Sequence, residues 1–120
     1  MNAHLPHIAI VLDDSEIAAR VLIGLQRLTG DRLTALKRAA ASRQPLICAE
    51  MFSNSWYDGG MDTLRKVVRF LSDHWLAFRL YELAEGETYG SADLGLREIT
   101  PEILGNIMVE SERTRNNNCG

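Results

Sequence analysis

The sequence has few cysteines and no long apolar run, which argues against a disulfide-stabilised protein and against a membrane-spanning one. Its two cysteines, Cys48 in an apolar run and Cys119 in a polar tail, are too few and too scattered for a disulfide framework. No apolar run approaches the roughly 20 residues that a membrane-spanning helix needs. The N-terminal residues do not combine a basic segment with an apolar stretch, so we do not expect a secretory signal. A cytoplasmic, reducing location is the expectation that follows.

Motifs for catalysis and for metal binding are lacking as well. Asp58–Met61 is too short for a phosphate-binding loop and has neither its lysine nor its hydroxyl residue. His4, His7 and His74 are not accompanied by the cysteine spacing of zinc sites. Cys48 and His74 can be paired on paper as nucleophile and base, but no nucleophile elbow or oxyanion loop accompanies them. We therefore predict no catalytic residue, no metal, no cofactor and no enzymatic activity.

Charged residues are unevenly distributed along the chain, whose net charge is −3. Arg20–Arg43 holds six basic residues and one acid, whereas Glu82–Glu112 holds eight acids and one arginine. Such a distribution can steer a charged partner, although ordinary solvated helix faces have the same composition. The pI of about 5.6 argues against nucleic-acid binding.

The first half of the chain predicts two strands and two helices. His7–Leu12 is a β-branched and apolar run typical of a strand. Ser15 is positioned to cap a helix with apolar residues at three- and four-residue spacing, and Gly30 is positioned to end it. Asp31 is expected to cap a second helix. A second strand is predicted at Leu46–Phe52.

The second half adds a helix and a strand. Ser53–Gly60 has the composition of a loop, and a third helix is predicted from Asp62, with Trp75 on its apolar face. Phe78–Leu83 alternates between polar and apolar residues as a strand does.

The C-terminal third is predicted to be a loop followed by one helix. Ala84–Glu98 is rich in glycine and acids, with a short extended piece expected at Leu94–Ile99. Thr100 followed by Pro101 is a typical helix start. We expect a single domain over residues 1–112 and a disordered polar tail over residues 113–120.

This order predicts an α+β fold, a two-layer sandwich of the form β-α-α-β-α-β with an additional C-terminal helix. The strands on either side of the third helix are expected to be parallel neighbours or near neighbours. Helices on one face leave the other sheet face open, and the C-terminal segment or a partner is expected to cover it.

The predicted arrangement over Ile8–Leu83 resembles the fold shared by the Clp protease adaptor ClpS and the C-terminal domain of the bacterial ribosomal stalk protein. Leu28–Lys37 is similar to the stalk domain's Thr-Gly turn and lysine-bearing helix. In the adaptor family a strand runs into an Asn-Asp pair that helps to hold the amino terminus of a peptide. Asp13 and Asp14 match the acidic part of that pair, and Leu12 stands in place of the asparagine. The resemblance implies this fold and, as one alternative, a role in recruiting another protein.

Two groups of residues are candidate contacts. Asp13, Asp14 and Glu16 form an acidic cluster suited to Mg²⁺ or to a cationic peptide group, or simply to capping the following helix. Trp56 and Tyr57 lie in a polar segment, where they are either interface hot spots or, for Trp56, an anchor that folds back onto the sheet.

These features favour a non-enzymatic protein-binding domain. In its most concrete form, we expect a bacterial immunity-type protein that binds and neutralises a cognate toxin, often a basic nuclease, through an acidic surface that includes Glu82, Glu85 and Glu87. The alternative is an adaptor or ribosome-associated module of the kind that the resemblance implies. No membrane partner is expected.

Overall fold

The structure is a computed structural model that describes residues 6–13, 17–90 and 92–117, with side chains up to residue 113. The described residues form four strands and five α-helices. Their bounds are β1 His7–Leu12, α1 Ala19–Thr29, α2 Leu33–Ala41, β2 Pro45–Glu50, α3 Met61–Asp73, β3 Phe78–Leu83, α4 Leu94–Arg97, β4 Glu98–Ile99 and α5 Pro101–Asn117.

The four strands form one sheet in the order β2-β1-β3-β4, and every adjacent pair is antiparallel. Since β2 and β3 are both antiparallel to β1, they run parallel to each other with β1 between them. This confirms the α+β class and the expectation that the strands flanking α3 are parallel near neighbours.

The central strand β1 is buried on both sheet faces. Ile8, Ile10 and Leu12 lie in the main core, whereas Ala9 and Val11 belong to a smaller cluster. Successive residues of a strand point to opposite faces, so a strand covered on both sides has no need for polar positions. The uninterrupted apolar run of β1 follows from this position.

The helices pack on one face of the sheet and supply most of the main core. Leu25 of α1, Leu36 of α2 and Leu64 of α3 are almost completely buried there. The C-terminal helix α5 adds Leu104 and Met108 to the same core. It therefore belongs to the helical layer and does not cover the opposite face of the sheet.

The opposite face is covered by the segment that follows β3. Tyr89, Ala92 and Leu94 pack on the smaller cluster of Ala9, Val11, Tyr81 and Leu83. The rings of Tyr81 and Tyr89 lie 5.9 Å apart in an edge-to-face arrangement. The expected open face is thus partly closed by this chain's own loop.

The helix starts differ from those predicted. Gly30 ends α1 in the left-handed conformation, with φ of 78°, as expected. Asp31 does not cap α2, because Arg32 occupies the N-cap position and the Asp31 amide donates to Thr29 Oγ1 at 3.1 Å. Helix α1 begins at Ala19, and the proposed cap Ser15 lies outside the described residues.

Three other boundaries are corrected. Strand β2 ends at Glu50, since Phe52 takes a positive φ of 64° that breaks an extended conformation. The predicted loop Ser53–Gly60 contains a wide π-helical turn, Trp56–Gly60, which is kinked at Gly59, where φ is 136°, and continues into α3. The piece Leu94–Ile99 is a helical turn followed by a two-residue strand.

The C-terminal helix is longer than predicted. Helix α5 continues to Asn117, past the boundary that the sequence placed after Glu112. Residues 118–120 of the predicted tail lie outside the described residues.

Two helical glycines give a matched test of this packing. A Cβ atom at Gly24 of α1 would lie 2.7 Å from Phe70 Cε1, whereas Gly105 of α5 has nothing within 4 Å. We expect Gly24→Ala to lower the free energy of unfolding by about 1–3 kcal/mol through overpacking. Gly105→Ala should raise it by up to about 1 kcal/mol through helix propensity. Urea denaturation measures the free energy of unfolding of both variants. The same change in that free energy for both would contradict the close contact between α1 and α3.

Candidate functional site

The most exposed large apolar side chain of the described residues is Trp75, which is 94% accessible. It follows the last turn of α3, where its amide donates to the Ser72 carbonyl at 3.1 Å and the Leu76 amide donates to the Leu71 carbonyl at 3.0 Å. This pair of hydrogen bonds is the Schellman motif that ends many helices. The prediction that Trp75 lies on the buried face of α3 is wrong, because the helix ends before it.

The backbone at Trp75 takes a conformation that favours glycine. Its φ is 57°, and Arg43 takes the same position after α2 with φ of 53°. At Arg43 the same pair of bonds forms, to the carbonyls of Ala40 and Ala39. A bulky residue in this region is strained, and such strain clusters at functional sites.

Trp75 stands at the rim of a groove of about 530 Å³. The groove lies where β4 pairs with only Leu80 and Tyr81 of β3. Its lining is mixed: apolar side chains (Leu76, Phe78, Leu80, Ile99 and Pro101) alternate with Ser72, Thr100 and an ion pair, in which Arg79 Nη1 and Glu98 Oε1 lie 3.1 Å apart. The volume falls within the range of about 300–1,000 Å³ seen in ligand sites.

A chain of ion pairs connects this groove to the end of α2. Arg79 contacts both Glu98 and Asp13, and Asp13 also pairs with Arg43. These carboxylates raise the pKa of Arg79, Asp13 more than Glu98, so its charge is held firmly. Asp13 is therefore engaged by two arginines in this structure.

The acidic cluster predicted around Asp13 is only partly visible. Asp14 and Glu16 lie outside the described residues. Within the described ranges, no group of three or more histidine, cysteine, aspartate or glutamate side chains is placed to hold a metal ion.

The three acids singled out from the sequence have different surroundings. Glu87 accepts two hydrogen bonds from Arg97, at 2.8 and 3.0 Å, and one from the Ala84 amide at 2.7 Å. Arg97 first and the Ala84 amide second lower the pKa of Glu87 below its ordinary value. Glu82 is half-buried on β3, and Glu85 is exposed. Glu87 thus holds the loop in place, and of these three acids Glu85 is the most exposed to a partner.

Trp56 is a core residue. It is 1% accessible and packs in the main core, and Tyr57 is half-buried against the same core. The sequence left two roles open for Trp56, an interface contact or a buried anchor, and the structure shows the buried anchor.

Cys48 and His74 lie on opposite sides of the sheet. Cys48 is opposite Ala9 on the face away from the helices, whereas His74 caps the end of α3 with its Nδ1 2.9 Å from the Phe70 carbonyl. Burial raises the pKa of the Cys48 thiol, which disfavours the nucleophilic thiolate. The two side chains do not form a catalytic pair.

Comparison with known proteins gives no relative. No family model matches the chain, and no match was found among curated proteins or solved structures. Among the described residues, no helix has the length and apolar character to cross a membrane.

Trp75 is the site residue that sequence reasoning missed. Apolar spacing alone placed it on the buried face of α3. The polar run Ser72–His74 immediately before it was the available signal, since three polar residues in succession indicate that the apolar stripe has ended. A signal for its left-handed backbone was absent, because glycine is the usual residue there.

The ion pair at Glu87 predicts a pH-dependent loop. A carboxylate whose pKa is lowered on folding contributes stability above its ordinary value of 4.5, and this contribution is lost as the pH falls through the lower, folded value. We expect the protection factor of the Ala84 amide, which is the intrinsic exchange rate divided by the observed rate at the same pH, to fall below that pH. Glu87→Gln should have a lower protection factor at neutral pH already. A protection factor that is independent of pH in the unchanged protein would contradict the anchoring role.

Proposed function

We propose that this chain is a non-enzymatic protein-binding domain with Trp75 as its main contact residue. The observation that carries the proposal is the 94% accessibility of Trp75 at the rim of a groove with a mixed polar and apolar lining. Tryptophan is enriched among the few interface residues that supply most of the binding energy. An indole held in a strained conformation and left in water is accounted for if a partner buries it.

The chemistry of the groove favours a protein partner. Its two charged side chains, Arg79 and Glu98, already satisfy each other, and Asp13 holds Arg79 from the other side. The surface therefore offers apolar area with an ion pair at its border. Protein interfaces commonly combine an apolar centre with a polar rim.

A narrower form of the proposal is an immunity-type protein that neutralises a basic toxin in the cytoplasm. Of the eight acids between Glu82 and Glu112, four have no ion pair within the described residues: Glu82, Glu85, Asp93 and Glu102. Acids without an ion-pair partner speed the encounter with a basic partner. With a net charge of −3, the chain attracts such a partner at long range.

The second candidate is an adaptor that recruits another protein. The element order β-α-α-β-α-β favours it, because this order is part of the arrangement on which the resemblance to the adaptor and stalk domains rests. In this candidate the partner is a Clp-type ATPase or a translation factor. The engagement of Asp13 by two arginines weighs against its holding a peptide amino terminus.

Replacement of Trp75 separates binding from stability. Trp75→Gly removes the indole and relieves the left-handed backbone, so the free energy of unfolding should stay unchanged or rise by up to about 1 kcal/mol. Binding of the captured partner should weaken by about 2 kcal/mol, roughly 30-fold. Affinity capture from host lysate, followed by titration of the purified partner, measures the loss.

Arg43→Gly is the matched control, since it relieves the same conformation at the end of α2. It also removes an exposed ion pair with Asp13, which is worth about 1 kcal/mol at most. We expect this variant to keep its partner. Equal affinity of the Trp75→Gly variant and the unchanged protein would refute the role of Trp75.

The immunity-type form predicts a local charge effect. Glu85→Lys should slow association with a basic partner several-fold at low salt and leave dissociation nearly unchanged. Asp31→Lys makes the same change in net charge within the basic stretch and should have a smaller effect. Stopped-flow mixing measures the association and dissociation rates. Equal slowing of association by the two variants would show that only the net charge matters, which contradicts a local role of Glu85.

A further inference from the structure

Strand β2 forms one edge of the sheet and pairs with β1 alone. Edge strands are commonly protected by charge, proline or a covering segment. Here Pro45 and Glu50 stand at the two ends of β2, whereas the middle residues Ile47–Ala49 carry no charge. The middle of this edge therefore has little protection against pairing with another strand.

The register tells which backbone groups face outward from this edge. The Met51 amide donates to the Pro6 carbonyl at 2.8 Å, so the polar backbone groups of Met51 point toward β1. In an antiparallel pair, successive residues alternate between pointing toward and away from the partner strand. The backbone amide and carbonyl groups of Cys48 and Glu50 consequently point away from β1.

Outward groups of Cys48 have no partner among the described residues. The Glu50 carbonyl accepts a hydrogen bond from Ser53 Oγ at 2.8 Å, so only the Glu50 amide is available to an added strand. An added strand can thus pair with the amide and carbonyl of Cys48 and with the amide of Glu50.

A groove of about 480 Å³ runs along this edge. One side is β2, and the other is the π-helical turn and the start of α3, which contribute Ser55, Trp56, Gly60 and Thr63. Gly60 is required there, since a Cβ atom would lie 2.8 Å from the Ser55 carbonyl oxygen. The groove combines an edge strand with a helix beside it, as peptide-binding domains that add a strand do.

One residue that lines this groove has a buried donor without an acceptor. The indole Nε1 of Trp56 has no hydrogen-bond partner among the described residues. Leaving such a group unsatisfied costs about 1–3 kcal/mol. A carbonyl oxygen of a bound segment that reaches this nitrogen would supply the missing acceptor.

We propose that the β2 edge binds an extended segment of a partner protein as an additional strand, with a basic side chain of that segment near Glu50. Glu50 lines the groove and has only His7, at 3.8 Å, as an ionic neighbour in the described part of the chain. The exposed Asp58 belongs to the adjacent turn. A second copy of this chain fits less well, because its own β2, Pro45–Glu50, has no basic residue to place beside Glu50.

This site is separate from the Trp75 groove and does not depend on the proposed function. The two linings share no residue. Loss of Trp75 should therefore leave strand addition unchanged, and blocking the β2 edge should leave the Trp75 contact unchanged.

The test uses the full chain labelled with ¹⁵N and a synthetic nine-residue peptide of alternating valine and threonine with one central lysine. We expect the amide signals of Cys48 and Glu50 to shift on titration and their hydrogen exchange to slow at least tenfold. The indole N–H signal of Trp56 should move to lower field as it gains an acceptor, while the Trp75 indole signal stays in place. Absence of these changes at millimolar peptide would overturn the proposal.

Two N-methylated peptides provide a control that leaves the protein unaltered. Methyl groups on the alternate amides that face β2 remove the ladder hydrogen bonds and should weaken binding at least tenfold. Methyl groups on the other set of amides should have little effect. Equal binding of both peptides would show that no strand is added, which overturns the proposal.

Two further measurements decide the occupant. Glu50→Gln should weaken binding of the lysine peptide several-fold and leave a peptide with threonine in place of lysine unaffected. Equal effects on both peptides would overturn the charge assignment. Light scattering over a range of protein concentrations shows whether the free protein forms a dimer. If it does, and if the amides of Cys48 and Glu50 are protected from exchange in that dimer, the β2 edge binds a second copy of this chain and the peptide proposal fails.

Discussion

The burial of β1 on both sheet faces is the constraint on which the rest of the structure depends. Its helix-facing residues need a layer of helices, and its opposite residues need a second cover. The first cover comes from α1, α2, α3 and α5, and the second from the loop that carries Tyr89 and Leu94. Because the strand lies in the middle of the sheet, both neighbouring strands are aligned by it. An exposed groove then forms at each side of the sheet, one beside β2 and one beside β4.

Ion pairs hold the second cover and the groove beside β4 in position. Glu87 and Arg97 join the two ends of the loop, and Arg79 joins Asp13 to Glu98. Each pair is partly exposed, so its net contribution to stability is small. Their effect is geometric, because they fix where backbone segments lie around the apolar surface. In the acidic stretch they engage Glu87 and Glu98, whereas in the basic stretch Arg20–Arg43 only Arg43 forms an ion pair among the described residues.

Local patterns predicted most of the fold and little of the candidate sites. Strands β1 and β3 and the end of α1 at Gly30 were predictable, since apolar periodicity and glycine act within a few residues. The start of α2 was not, because Arg32 stands at the N-cap without a side-chain hydrogen bond. The sequence left the role of Trp56 open between a contact residue and a buried anchor, and it wrongly placed Trp75 on a buried face. Trp56 lies in a polar segment and is buried, whereas Trp75 follows an apolar stripe and is exposed.

The sequence by itself determined the α+β class, the order of the longer elements and the position of the helical pair between the first two strands. These depend on hydrophobic periodicity and turn residues, which are local properties. Only the tertiary structure decided which face the C-terminal helix covers, which acids are neutralised and which tryptophan meets solvent. Each of these depends on contacts between residues far apart in the chain, such as Asp13 with Arg79 or Glu112 with Arg65. Such contacts leave no periodic trace in a single sequence.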